Sequence, residues 1–139
     1  MQLNSYLNFN GQCAAAFQFY ERCLGGKIQM IMTHGESPMA ERVSPEWRDK
    51  ILHVTLAVGN GLLMGCDAPP PHYEKPQGFF VQMGIEDPAD ADRLFQALSE
   101  NGTVRMPLQQ TFWAERFGML IDQFGTPWMI NCGQPAKEQ

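Results

Sequence analysis

Apolar and polar residues alternate over Leu3–Phe9, with Leu3, Leu7 and Phe9 on one face and Tyr6 on the other. Period two over that length predicts a strand covered on one side. Asn10-Gly11 interrupts it, and Cys13, Phe17, Tyr20 and Leu24 then recur at helical spacing until Gly25-Gly26, where a helix stops readily. Lys27–Thr33 alternates again, with Ile28, Met30 and Met32 on one face and Ile31 on the other. The pattern lapses over His34–Asp49, which holds two prolines, four acidic residues and only Met39, Val43 and Trp47 as sizeable apolar anchors. This predicts a long loop with a short helix after Ser44-Pro45, and loops of that length in small domains are often functional. Ile51–Val58 and Leu62–Cys66 flank Gly59-Asn60-Gly61 and predict a hairpin.

The segment 67–78, with three consecutive prolines at Pro69–Pro71, reads as a stiff linker. Beyond it, Phe79–Ile85 predicts a strand, and Asp87-Pro88 starts a helix whose stripe is Ala91, Leu94, Phe95 and Leu98. After Asn101-Gly102 come a strand beginning over Thr103–Met106 and a hairpin of Phe117–Ile121 and Trp128–Ile130 around Gly125. Gly133–Gln139 is expected as a frayed tail.

The order strand-helix-strand-strand-strand therefore occurs twice. Superposing Gly26 on Gly102 also aligns Phe9 with Ile85 and Phe19 with Phe95. The expected fold is α+β: one domain, 1–139, of two paired βαβββ modules, 1–66 and 79–132, forming a curved eight-stranded cup with helices outside.

Net charge is −5 and pI near 5.1, which disfavours nucleic acid or an anionic membrane surface as partner. No apolar run is long enough to span a bilayer. The opening Met-Gln-Leu-Asn-Ser-Tyr has neither a basic n-region nor an apolar h-region, so the expected compartment is the cytoplasm. Cys13, Cys23, Cys66 and Cys132 form no CxxC pair, so free buried thiols are expected rather than zinc or disulfides.

His53 shares a strand face with Thr55 and is a weak candidate for a general base, set against a purely structural histidine. His34 and Glu36 could ligate a metal, but two such residues one apart are common by chance and a solvated loop is the favoured reading; His72 is expected to be exposed. Phe112 and Trp113 lie beside Glu115 and Arg116 in a predicted turn, giving apolar surface with a polar rim, or simply a cap on the core. Glu115 and Arg116 read foremost as surface charges, and Gln82, Gln109 and Gln110 offer ligand-orienting amides. Nine methionines suit a pliable apolar interior.

Asn8-Phe9-Asn10-Gly11, Phe19-Tyr20 and Leu24-Gly25-Gly26 resemble the vicinal oxygen chelate (glyoxalase and bleomycin-resistance) superfamily. The C-terminal segments Gln110-Thr-Phe-Trp113, Phe117-Gly118, Asp122-Gln-Phe-Gly125 and Pro127-Trp-Met-Ile-Asn131 look like its PhnB-like branch, also labelled demethylubiquinone methyltransferase-like. The resemblance implies a divalent metal held by the first and fourth strands of each half. Carried over by spacing, those positions are Ser5, Leu63 or Met64, Phe80 and Met129. None is His, Asp or Glu, so no metal and no cofactor are expected. No Gly-rich strand-to-helix loop for S-adenosylmethionine is present, and the βαβββ topology is wrong for it.

The expected function is a metal-free cup binding a small, largely apolar molecule, with Phe112, Trp113, Trp128 and Met64 as walls and Gln82 as a polar contact. The alternatives are a metal-dependent lyase or oxygenase with ligands moved to His34, Glu36 and His53, or a dimeric scaffold without ligand. A homodimer is expected in any case, because it would cover exposed sheet edges.

Overall fold

The computed structural model describes residues 1–133, so most of the expected tail lies outside the described residues. The chain divides into two compact units, Met1–Lys75 and Pro76–Gln139, with the boundary inside the proline-rich segment. In the first, β1 (Ser5–Phe9) is followed by α1 (Cys13–Leu24), β2 (Lys27–Thr33), β3 (Ile51–Val58) and β4 (Gly61–Asp67). The second repeats the order with β5 (Val81–Ile85), α2 (Pro88–Leu98), β6 (Thr103–Gln109), β7 (Arg116–Ile121) and β8 (Pro127–Cys132). Each unit has one four-stranded mixed sheet, ordered β1-β4-β3-β2 or β5-β8-β7-β6, whose first and last strands pair in parallel. The two βαβββ modules predicted from the alternation are present. No described helix is long and apolar enough to cross a membrane.

Each helix covers one face of its own sheet. In the first unit Leu7, Gly65 and Val54 lie side by side across β1, β4 and β3. A Cβ on Gly65 would sit 2.8 Å from the Phe17 ring and the Leu7 carbonyl, so the helix closes on the sheet there. Gly118 plays the same part beneath Phe95 of α2, whose buried side chains Ala91, Leu94, Phe95 and Leu98 are the predicted stripe.

The helix starts differ. Asp87 caps α2 itself, accepting from the Ala89 N–H at 2.9 Å. Gln12, at the equivalent place on α1, makes no side-chain cap bond. The buried carboxylate of Asp67 substitutes for it: Oδ1 accepts from Gly11 N–H at 2.9 Å and Cys13 N–H at 3.0 Å, where an anion is favoured. Its Oδ2 accepts from Ile51 N–H, the first residue of β3. Asp67 was expected to open the linker and instead ends β4. The long loop is built from three 3₁₀ turns, His34–Glu36, Ala40–Arg42 and Pro45–Trp47, the last starting after Ser44 as predicted. His34 is not solvated: it is buried, with Nε2 3.2 Å from the Asp67 carbonyl oxygen.

Other boundaries moved for local reasons. β6 runs through Pro107 to Gln109, because it is an edge strand where a missing N–H leaves no neighbour unbonded. β5 begins at Val81 rather than Phe79, leaving Phe79 and Phe80 exposed.

Asp67→Asn is nearly isosteric but turns an amide NH₂ toward a backbone donor. It is expected to cost about 3 kcal/mol, read from the urea midpoint at unchanged slope. A loss below about 0.5 kcal/mol would show that the carboxylate is not what joins these segments.

Candidate functional site

With one sheet face of each unit given to its helix, alternation sends the other residues to the opposite face. In the first unit a transverse row runs Tyr6, Met64, Thr55, Met30 across β1, β4, β3 and β2. Beside it lie Asn8 and Cys66, paired on β1 and β4, and His53 and Met32, paired on β3 and β2. Tyr6 is 47% exposed, and its ring stacks on that of His53 with centroids 5.6 Å apart. Its hydroxyl is 3.1 Å from His53 Nδ1, while His53 Nε2 is 3.0 Å from the Thr55 hydroxyl. Both ring nitrogens are thereby engaged. Next to this chain, the Cys66 thiol donates to the Asn8 amide oxygen at 3.3 Å.

Burial, and then the neighbouring Cys66, pushes the Tyr6 phenol up, so Tyr6 stays protonated and keeps a donor. Burial also pushes the Cys66 thiol up; a hydrogen bond from Tyr6 works against this and the Asp67 charge adds to it. Cys13, under the helix start, is raised by burial and then by Asp67.

The second unit repeats the row with different chemistry: Gln82, Met129, Met119 and Met106 run across β5, β8, β7 and β6. The next row includes Asn131, Phe117 and Gln109. Trp113 meets Phe117 edge-on at 5.0 Å, and Phe112 meets Trp113 at 4.7 Å while remaining 88% exposed. The loop carrying them is closed by paired bonds between Thr111 and Ala114.

Of the residues singled out from sequence, Gln82, Trp113 and Phe112 therefore belong to the second unit's open face or the loop against it, and Met64 to the first unit's. Trp128 falls on the α2 side. It is 1% exposed, and its indole Nε1–H donates to buried Asp122 Oδ2 at 2.8 Å, which satisfies the donor inside the core. Met129, one residue on, takes the open face. Arg116 reaches Asp92 on α2 at 3.4 Å and the Glu115 carbonyl at 3.1 Å. His34 and Glu36 do not join His53: His34 bonds toward Asp67, and Glu36 accepts from the Thr33 hydroxyl at 3.0 Å. Among the described residues no three His, Cys, Asp or Glu are grouped so as to hold a metal ion. The pairing of Tyr6 with His53 was missed, since 47 residues separate them in sequence. The available signal was that Tyr6 and His53 each sit opposite the buried alternation of their own strands.

The sequence pattern of the Glyoxalase/Bleomycin resistance protein/Dioxygenase superfamily matches residues 2–130. The chain belongs to that superfamily. It is 34% identical over 147 residues to protein YjdN of Escherichia coli K12, with all of both chains covered. Protein PA1353 of Pseudomonas aeruginosa is 44% identical, with a TM-score of 0.88 covering 96% of this chain and 98% of that one. The PhnB protein of Bacillus cereus, at 21% identity, shares the fold, with a TM-score of 0.80 over 96% of this chain and 100% of its own. The superfamily resemblance read from the sequence is borne out, and a PhnB protein is among the matching folds.

A thiol held above its ordinary value of 9.0 is protected until the pH exceeds the raised value. At about pH 8, iodoacetamide should label Cys66 in the native protein more slowly than in the urea-unfolded chain. The gap should narrow as pH rises further. Equal rates at about pH 8 would show the thiol to be unprotected.

Proposed function

We propose that this superfamily member binds a small, largely apolar organic molecule on the open sheet face of its first unit, without a divalent metal between ligand and protein. The observation that carries the reading is the row Tyr6, Met64, Thr55, Met30 with His53 beside it: apolar, adaptable surface around a few fixed polar groups, the composition of a small-molecule site. The donor set speaks against a catalytic divalent ion. Among the described strand residues, the open faces carry phenol, amide, hydroxyl, thiol and thioether groups and a single imidazole, with no carboxylate. That imidazole already has both nitrogens engaged, whereas Fe, Ni, Mn or Zn sites want several imidazole or carboxylate ligands. No chemistry is therefore routed through a metal here, and His34, Glu36 and His53 are not favoured as a relocated set.

The test is a titration of methionine-methyl-labelled protein with a panel of one- and two-ring aromatic compounds, followed by NMR. Saturable shifts at Met64 and Met30, abolished by Met64→Lys in a variant that still melts cooperatively, are expected. An unresponsive Met64 across the panel in the unmodified protein would overturn the reading.

A further inference from the structure

Neutral histidine has one N–H and one bare nitrogen, and His53 places these two atoms against two hydroxyls, Tyr6 at 3.1 Å and Thr55 at 3.0 Å. Two tautomers satisfy the geometry. In one, the Tyr6 O–H donates to Nδ1 and the Nε2–H donates to Thr55, leaving the phenol oxygen open as an acceptor. In the other, Thr55 donates to Nε2 and the Nδ1–H donates to the Tyr6 oxygen, so the Tyr6 O–H turns to the Cys66 sulfur, a weak acceptor from which a ligand oxygen can take it. The ring stacking at 5.6 Å holds Tyr6 over His53 in either state, and the raised phenol keeps its proton available. Tyr6 is half exposed, with Met64 its lateral neighbour and Thr55 next beyond Met64 in the same row.

We infer that the Tyr6 hydroxyl is the polar anchor of this face, and that its ligand carries a ketone or hydroxyl oxygen on an apolar body. The inference rests on the first unit's open face being the ligand site. Tyr6 touches the ligand oxygen; His53 and Thr55 are positioning residues that reverse the direction of the Tyr6 hydrogen bond to suit an acceptor or a donor. A ketone selects the tautomer with Nδ1 protonated, and a ligand hydroxyl that donates selects the other.

The experiment compares naphthyl methyl ketone with ethylnaphthalene, which has the same shape without the oxygen. Dissociation constants come from methionine-methyl NMR on the full chain. The ketone is expected to bind about five-fold more tightly, the return on one neutral hydrogen bond, with the largest shifts at Met64. In Tyr6→Phe, checked for an unchanged melting temperature, the two compounds should bind alike, with ethylnaphthalene unaffected. In His53→Phe, which keeps a ring against Tyr6 but no hydrogen-bonding nitrogen, part of the preference should be lost while ethylnaphthalene again holds. Equal affinities in the unmodified protein, with Met64 still responding, would overturn the anchor and leave the apolar site standing. Failure of both compounds to shift Met64 would overturn both. A ketone preference that survives Tyr6→Phe would overturn the assignment to Tyr6.

Discussion

The first unit depends on a buried carboxylate at the end of its last strand. Asp67 is 1% exposed, and taking a charge out of water is costly unless fixed donors replace the solvent. Here they are backbone amides: Gly11 and Cys13 at the start of α1 and Ile51 at the start of β3, while the Asp67 carbonyl faces His34 at the beginning of the long loop. One residue thus sets where the helix begins, where the third strand begins and how the intervening loop returns. The second unit reaches a similar end differently. Asp122 is also buried, but it folds its own turn by accepting from Phe124 and Thr126 N–H, and it receives the Trp128 indole. Its helix is capped locally by Asp87.

With each helix packed on one face of its sheet, the two faces of the strands have separate uses. The helix side is filled closely enough that Gly65 and Gly118 have no room for a Cβ. The other side is where chemistry can vary without disturbing the core. The repeat shows this directly: Tyr6, Met64, Thr55 and Met30 in one unit stand where Gln82, Met129, Met119 and Met106 stand in the other. The first row holds Tyr6 and Thr55, both hydrogen-bonded to the neighbouring His53, and the second is almost all thioether, so one framework carries two different surfaces.

What was legible from sequence was whatever depends on local periodicity. The α2 stripe, the bounds of β2 and β3, and the placing of His53 and Thr55 on one face all follow from alternation or helical spacing. What was not legible depends on partners distant in the chain. Asp67 reads as a linker residue beside prolines until Gly11, Cys13 and Ile51 are brought to it. His34 reads as solvated until the Asp67 carbonyl lies over it. Trp128 reads as an aromatic wall because strand register, and hence which of Trp128 and Met129 faces outward, is fixed by pairing with Leu120 and Met119. The Tyr6–His53 contact is of the same kind.

The ligand site proposed for this superfamily member needs no divalent ion, although the family resemblance implies one. Elemental analysis tests it most directly, on protein exposed to Mn, Fe, Co, Ni and Zn and then desalted. Metal far below one equivalent per chain is expected, with the Met64 response to aromatic ligands unchanged by prior metal exposure. Near-stoichiometric retention of any one of these ions would contradict it and return the protein to the metal-dependent enzymes of its superfamily.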